Sequence, residues 1–269
     1  MKIAATVQYN GKGFFGFQIQ NDRRTVQGEL ERSLSTYFRS FIRVHAAGRT
    51  DSGVHSYGQV VHFEAPEDWS FSDEELTKTI YSVNCILPLD VSFVHAKWVP
   101  DSFHARFSCT GREYVYQIIQ CDYRLPLYQD THLWIRKGFD VDKMREAAEY
   151  LIGVHDFASF TKHIYKKSDE TTIRRIDKLV ITDSAPFYRI YFNGSGFLHN
   201  MIRIICGALL NVGTGKWVSG EVEKILLEKS RIHQGVTLPA HALTFVNAQY
   251  ENYETPKNLI PDYKIISSI

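Results

Sequence analysis

Cysteine is scarce and badly placed for the work it usually does. Cys85, Cys109, Cys121 and Cys206 are scattered with no CxxC pair, which excludes a zinc knuckle, a thioredoxin-type redox centre and a secreted disulfide framework. No apolar run approaches the roughly 20 residues needed to span a bilayer, and the opening stretch Met1–Tyr9 has too short an apolar core for a signal peptide. An excess of one charge is missing too, since 31 Lys+Arg stand against 30 Asp+Glu for a net charge of +1. That balance neither implies nor excludes nucleic acid, because a phosphate backbone responds to a local basic patch and not to the sum. What is present is the make-up of an ordinary globular protein: 269 residues, 44% hydrophobic, 13% aromatic and 23% charged. Disorder and collagen-like architecture are thereby excluded, and the length suffices for a core without disulfide or metal staples. The expectation is a soluble, cytoplasmic protein with no membrane partner.

Three motifs invite chemistry that their context refuses. Gly11-Lys12-Gly13-Phe14-Phe15-Gly16 fits GxGxxG after a strand, but Phe17–Arg24 intervenes before the next helix and its cap, whereas a dinucleotide site opens straight into one. Gly213-Thr214-Gly215-Lys216 resembles the end of a phosphate-binding loop, yet Leu210 stands at its first glycine position and Trp217 at its magnesium-binding hydroxyl. Gly213 reads better as the residue that stops a helix. Among eleven histidines, His55 with His62 and His155 with Asp156 are the conceivable ligand pairs, and neither spacing is diagnostic of a metal. No metal and no cofactor are expected.

Periodicity predicts a strand over 2–9, a helix over 26–38 behind Thr25 with Val26, Leu30, Leu34, Tyr37 and Phe38 on one face, and strands over 42–48 and 58–64 forming a hairpin. Ser72 and Glu75 make a capping box ahead of Leu76, Ile80 and Val83, and a strand follows over 91–98. The order β-α-β-β-α-β is that of a ferredoxin-like unit. From about 112 it starts again: strands over 114–118 and 131–136, a helix over 141–152 ended by Gly153, a hairpin of strands over 173–183 and 187–193, a helix over 197–212, a shorter helix capped by Ser219, and a strand over 243–249. The fold class expected is α+β: two ferredoxin-like units sharing one mostly antiparallel sheet, helices mainly on one face, with an active-site cleft at the join. Residues 1–105 would form the first half, 106–250 the second and 251–269 a tail.

The segment Ala47-Gly48-Arg49-Thr50-Asp51-Ser52-Gly53-Val54-His55 carries the chemistry. Asp followed two residues later by Gly is a common turn signal. An arginine two residues before the aspartate can also fold back, keep the carboxylate ionised and orient it as a nucleophile. This segment resembles the signature of the TruA family of tRNA pseudouridine synthases, whose catalytic aspartate lies in a Gly-Arg-Thr-Asp-x-Gly-Val-His turn. Four further segments resemble the family in the same order: Tyr9-Asn10-Gly11 with Phe15–Gln18; Asp101–Phe107 with Arg112–Tyr116; Gly153–Phe160; and Gly196–Arg203 running into Gly207 and Val212–Gly215. The resemblance spans about residues 2–249.

The resemblance implies Asp51 as nucleophile, Arg49 and Arg203 as its charge partners, and Tyr114 as the residue that stacks on the target base, with removal of the C5 proton as a further role. It implies isomerisation of uridine on the 3′ side of the tRNA anticodon stem-loop without a cofactor, by attack at ribose C1′ or uracil C6. The uridine would be flipped from its stack, with Arg49 filling the space. A homodimer holding tRNA is implied as well. On residue chemistry alone, Tyr114 reads as half of a strand face, and Arg203 on an apolar helix as either reaching the helix end or facing a buried carboxylate. Candidate RNA or substrate contacts are Arg23, Arg24, His55, Arg106, Lys162 and Arg174, with Leu243. Basic clusters at Arg23-Arg24, Lys162-His163, Lys166-Lys167 and Arg174-Arg175 interleave with Phe14, Phe15, Phe160 and Tyr165, as single-stranded RNA recognition favours. The chain departs from the family pattern with Asn10 where Asp is usual and Ala242 where Gly is usual. A synthase aimed at another RNA site, or an RNA-binding module without turnover, are the alternatives.

Overall fold

The computed structural model describes residues 2–66, 69, 72–162, 171–230 and 236–259. In chain order its strands are β1 (Lys2–Tyr9), β2 (His45–Ala46), β3 (His55–Glu64), β4 (Val91–Val99), β5 (Gly111–Gln120), β6 (Leu133–Ile135), β7 (Gly153–Asp156), β8 (Ile173–Ser184), β9 (Phe187–Gly194) and β10 (Leu243–Gln249). The helices are α1 (Val26–Phe38), α2 (Asp73–Asn84), α3 (Val141–Glu149), α4 (Met201–Gly213) and α5 (Gly220–Glu228). None is long and apolar enough to cross a membrane. The class is α+β, with mostly antiparallel ladders. The chain divides into two compact units, Met1–Arg112 with Thr244–Ile269, and Glu113–Leu243.

In the first unit, local signals decide where the helices begin. Thr25 is extended and its hydroxyl accepts the Gly28 amide, starting α1; Ser72 and Glu75 bond each other's backbone amides, starting α2. Val26, Leu30, Leu34 and Phe38 recur at helical spacing and are all buried, in one cluster with Ile3, Val7, Val61, Phe63 and Phe93 of the strands. The strands run β4-β1-β3, antiparallel throughout. β3 also carries β2, antiparallel at His45 opposite His62, and β10, parallel at Thr244 opposite His55.

The predicted strand over 42–48 shrinks to two residues. The amide of Ile42 donates to Ser35 Oγ at 2.9 Å and that of Val44 to Glu31 Oε1 at 3.0 Å, so α1 side chains take donors that a ladder would have used.

The second unit orders its strands β5-β9-β8-β7, with β6 parallel to β5. The hairpin of β8 and β9 closes at Ser184 opposite Phe187, where the sequence places it. Four expectations need correcting here. α3 ends at Glu149 and not at 152, because the amides of Leu151 and Ile152 turn back to the carbonyls of Ala148 and Glu149. Gly153, at φ 108, then opens β7, a strand the periodicity misses. α4 begins at Met201 and not 197, since Asn200 takes the left-handed φ of 61 and the Met201 amide reaches only to Leu198. Gly213 is the last residue of α4 and not the one that stops it: a Cβ there would lie 2.7 Å from Met144 Sδ, while Gly215 takes the left-handed φ of 73. Ser219 precedes α5 without capping it, its hydroxyl donating instead to Glu146 at 2.7 Å.

Candidate active site

Asp51 lies in the connection between β2 and β3, in a turn closed by the Val54 amide on the Asp51 carbonyl at 3.2 Å, with Gly53 at φ 84. The segment after β1 wraps this turn. Tyr9 and Thr50 share a hydroxyl–hydroxyl hydrogen bond of 2.8 Å, the Phe17 amide donates to the Thr50 carbonyl at 3.1 Å, and the Ser52 hydroxyl donates to the Phe14 carbonyl at 3.2 Å. Two glycines make the approach possible. A Cβ on Gly11 would lie 2.0 Å from the Val54 carbonyl oxygen, and Gly16, at φ 91, passes the Thr50 carbonyl where its Cβ would sit at 2.9 Å. The first and last glycines of the GxGxxG pattern therefore serve backbone contact with the Asp51 turn, while Gly13 faces the Arg24 and Asp90 side chains. Burial pushes the Tyr9 phenol up to about 12, against the opposing pull of its bonds to Thr50, Gln59 and Ser56. It stays a neutral brace at physiological pH.

From the other side, Gln59 donates to the Gly48 carbonyl at 2.9 Å, and Arg112 donates to the Ala47 carbonyl through Nε at 3.1 Å and Nη2 at 2.7 Å. Asp51 is partly exposed and Arg49 exposed. His55 is buried, and its Nδ1 accepts the Gly11 amide at 3.1 Å. Arg24 is half-buried and makes two 2.7 Å bonds to Asp90 and one of 2.9 Å to Glu29. Arg23 remains exposed, its guanidinium 4.6 Å from the centre of the Phe15 ring. Arg106 is exposed beside Phe107.

In the second unit Tyr114 is buried on β5, edge-on to Phe197 at 5.2 Å between ring centres. Arg203 follows the left-handed Asn200 by three residues. Its Nε donates to the Leu238 carbonyl at 2.7 Å and its Nη1 to Asn200 Oδ1 at 2.6 Å, bonds that orient the guanidinium on an otherwise apolar helix. Lys162 is exposed. Arg174 is partly buried and donates to the carbonyls of Thr171 and Ile173, while Leu243 is buried at the start of β10. His163, Tyr165, Lys166 and Lys167 lie outside the described residues. Among the described residues no group of three or more His, Cys, Asp or Glu side chains is arranged to hold a metal ion.

Sequence reasoning passed over Tyr9 and Arg112 as site residues. Both sit inside segments it singled out, but nothing local in either segment names Thr50 or Ala47 as the partner.

Comparison with known proteins covers nearly the whole chain. A family described as tRNA pseudouridine synthase matches residues 5–108 and 147–251. A protein named tRNA pseudouridine synthase A from Bacillus licheniformis is 39% identical over 254 residues, covering 94% of this chain and 100% of its own. Proteins of the same name from Anoxybacillus flavithermus and Bacillus subtilis are 41% and 38% identical, covering 93% and 94% of this chain and 99% and 100% of theirs. A solved chain from a Cbf5-Nop10-Gar1 complex overlaps 78% of this chain and 54% of its own at 10% identity and a TM-score of 0.32, too slight a likeness to bear on the fold. With the braced aspartate turn inside the matched region and the match running through both units, the chain belongs to the tRNA pseudouridine synthase family.

Proposed function

We propose that this protein isomerises uridine to pseudouridine on the 3′ side of the tRNA anticodon stem-loop, with Asp51 as nucleophile. The observation that carries the reading is the Asp51 turn, held by Tyr9, Phe14, Phe17, Gln59 and Arg112 while the carboxylate residue itself stays partly exposed. A nucleophile presented on a braced turn needs no reorganisation when the substrate arrives. Asp51 adds to ribose C1′ or uracil C6 and the N1–C1′ bond breaks; the base rotates, C5 bonds to C1′, the bond to Asp51 breaks to restore its carboxylate, and the C5 proton passes by way of Tyr114 to water while N1 takes up one proton from water. Atoms balance without a cofactor.

Tyr114, fixed edge-on to Phe197, is the residue we assign to stack on the uracil and accept the C5 proton; Arg203 is assigned as a charge partner of Asp51. Arg49, exposed two residues before Asp51, is suited to hold the space left by a flipped base and to pair with the carboxylate in the bound state. Arg23 and Lys162, both exposed, are the cations offered to the phosphate backbone. The unit order β4-β1-β3-β2, with two helices in the crossovers, supports a ferredoxin-like first repeat, and 1–105 and 106–250 are proposed as the two repeats. The working form is proposed to be a cytoplasmic homodimer.

Release of tritium from tRNA labelled at uridine C5 tests the chemistry. Wild type is expected to release it and Asp51→Asn to lose release entirely, with its melting temperature unchanged. Release by the mutant at the wild-type rate would remove Asp51 from the nucleophile's role. No release by wild type from tRNA, but release from ribosomal RNA, would move the activity to another substrate. Sedimentation of the same preparation is expected at twice the 31.0 kDa chain mass, and the chain mass alone would reject the dimer.

A further inference from the structure

Phe107 is an apolar side chain in an odd position: 77% exposed, yet on a loop with little freedom to move. Backbone bonds close that loop, from Ser108 N to the His104 carbonyl at 2.9 Å and from Arg106 N to His104 Nδ1 at 3.1 Å. Tyr250 donates to the Ala105 carbonyl at 2.6 Å, and Lys2 to the Asp101 and Phe103 carbonyls at 2.6 and 3.0 Å. Behind the phenyl stands a row of imidazoles. His104 lies 4.4 Å from it between ring centres, His62 lies 4.6 Å from His104, and His45 stacks on His62 at 4.9 Å. The exposed face of Phe107 is thus backed by rings and presented by a fixed backbone, so a flat partner laid on it would cost little further ordering.

The surroundings are cationic. The Arg106 guanidinium is 5.7 Å from the Phe107 ring centre, and Lys2 is bonded to the same loop. After burial itself, the neighbours that hold the His62 and His104 imidazoles below their ordinary range include the Lys2 ammonium for both and the Arg106 guanidinium for His104. The loop is also tied to the Asp51 turn. A single nitrogen, Arg112 Nη2, donates to the Ala47 carbonyl at 2.7 Å and to the Arg106 carbonyl at 3.1 Å, so the backbone beside Phe107 and the backbone entering the Asp51 turn meet on one guanidinium.

We propose that Phe107, backed by His104 and flanked by Arg106, is a stacking platform for an unpaired nucleobase of the RNA substrate, set beside the strand that enters the Asp51 turn. An aromatic face among cations is what a splayed base and its phosphate require, whereas a fully paired helix offers no free base to stack. The proposal rests on the RNA-modifying reading above and assigns that substrate a contact outside the reacting uridine.

The test compares binding of unmodified tRNA and of a fully paired RNA duplex to wild type, Phe107→Ala, Phe107→Leu and Phe107→Trp, with tritium release by wild type from the same tRNA as reference. Phe107→Ala is expected to bind tRNA about ten-fold more weakly, the effect of losing one base–aromatic stack, and Phe107→Leu to remain equally weak. Phe107→Trp is expected to bind as wild type, with its added indole emission, after subtraction of the wild-type spectrum, quenched by tRNA and not by the duplex. Wild-type affinity in Phe107→Ala, restoration by leucine, or equal quenching by the duplex would each overturn the platform. Wild type that neither binds nor turns over tRNA would overturn the synthase reading and this one with it; turnover by wild type beside an indifferent Phe107→Ala overturns the platform alone.

Discussion

His62 shows what a single side chain contributes in this fold. It is buried on β3, its Nδ1 accepts the Ala105 amide at 3.1 Å, and it faces His45, His104 and the Lys2 ammonium. Burial first, and then the electrostatic opposition of His104, His45 and the Lys2 ammonium to a further proton, push the imidazole down from 6.5 to about 3. The folded protein therefore refuses a proton that the unfolded chain takes up below about 6.5. Stability from this group is complete above that pH and is lost as pH falls toward 3. His132, pushed down to about 4 by burial and by Arg189 and His241, adds to the same acid limb. Replacing His62 with Gln is expected to flatten the fall in urea midpoint between pH 6.5 and 4, and an unchanged slope would clear this residue of the acid sensitivity. At this scale the sequence is silent on partners, because the formula of Arg24, His55 or His62 does not reveal that Asp90, Gly11 or Ala105 is the group it meets.

At the scale of elements, local chemistry was legible wherever the deciding partner lay within a turn or two. Thr25 and the Ser72–Glu75 box placed α1 and α2, and the alternating runs placed β1, β8 and β9. The reading failed at β2, where Glu31 intervenes. That buried carboxylate accepts the Val44 amide at 3.0 Å and Gln27 Nε2 at 2.8 Å and pairs with Arg43 at 3.3 Å. Glu31→Ala is expected to destabilise the protein by about 2 kcal/mol, the size of a lost charge-assisted bond with its partner amide left buried. Glu31→Gln should recover part of that loss, since its carbonyl oxygen still accepts one amide. Urea denaturation measures the first, and faster hydrogen exchange at the Val44 amide locates it. A loss below about 0.5 kcal/mol in Glu31→Ala would show that water replaces the carboxylate at no cost.

For the whole molecule, the chain's return matters more than its halves. Thr244 and Phe245 pair in parallel with His55 and Ser56 at the start of β3, immediately after the Asp51 turn. Gly58 lies so near β10 that a Cβ would sit 2.5 Å from the Val246 carbonyl oxygen, and Tyr253 shares a 2.8 Å hydrogen bond with Thr6 of β1. Phe245, Val246, Ala248, Tyr253 and Thr255 are all buried. Truncation after Leu243 removes no residue of 1–112, yet it is expected to abolish cooperative unfolding of the first unit and, with it, tritium release. Retained cooperative unfolding in the truncated chain would show that this unit folds without its last strand.

Near-neighbour physics made the α+β class, most element positions and the family signature around Asp51 readable from the residues in order. Caps, periodicities and turn glycines act within a few residues of chain. Tertiary structure alone decided that Tyr9, Gly11 and Arg112 brace the Asp51 turn, that Arg24 meets Asp90 and His55 meets Gly11, and that β10 closes on β3. Those outcomes join residues separated by tens to nearly two hundred positions, and each is settled by which buried donor meets which acceptor once the chain has closed on itself.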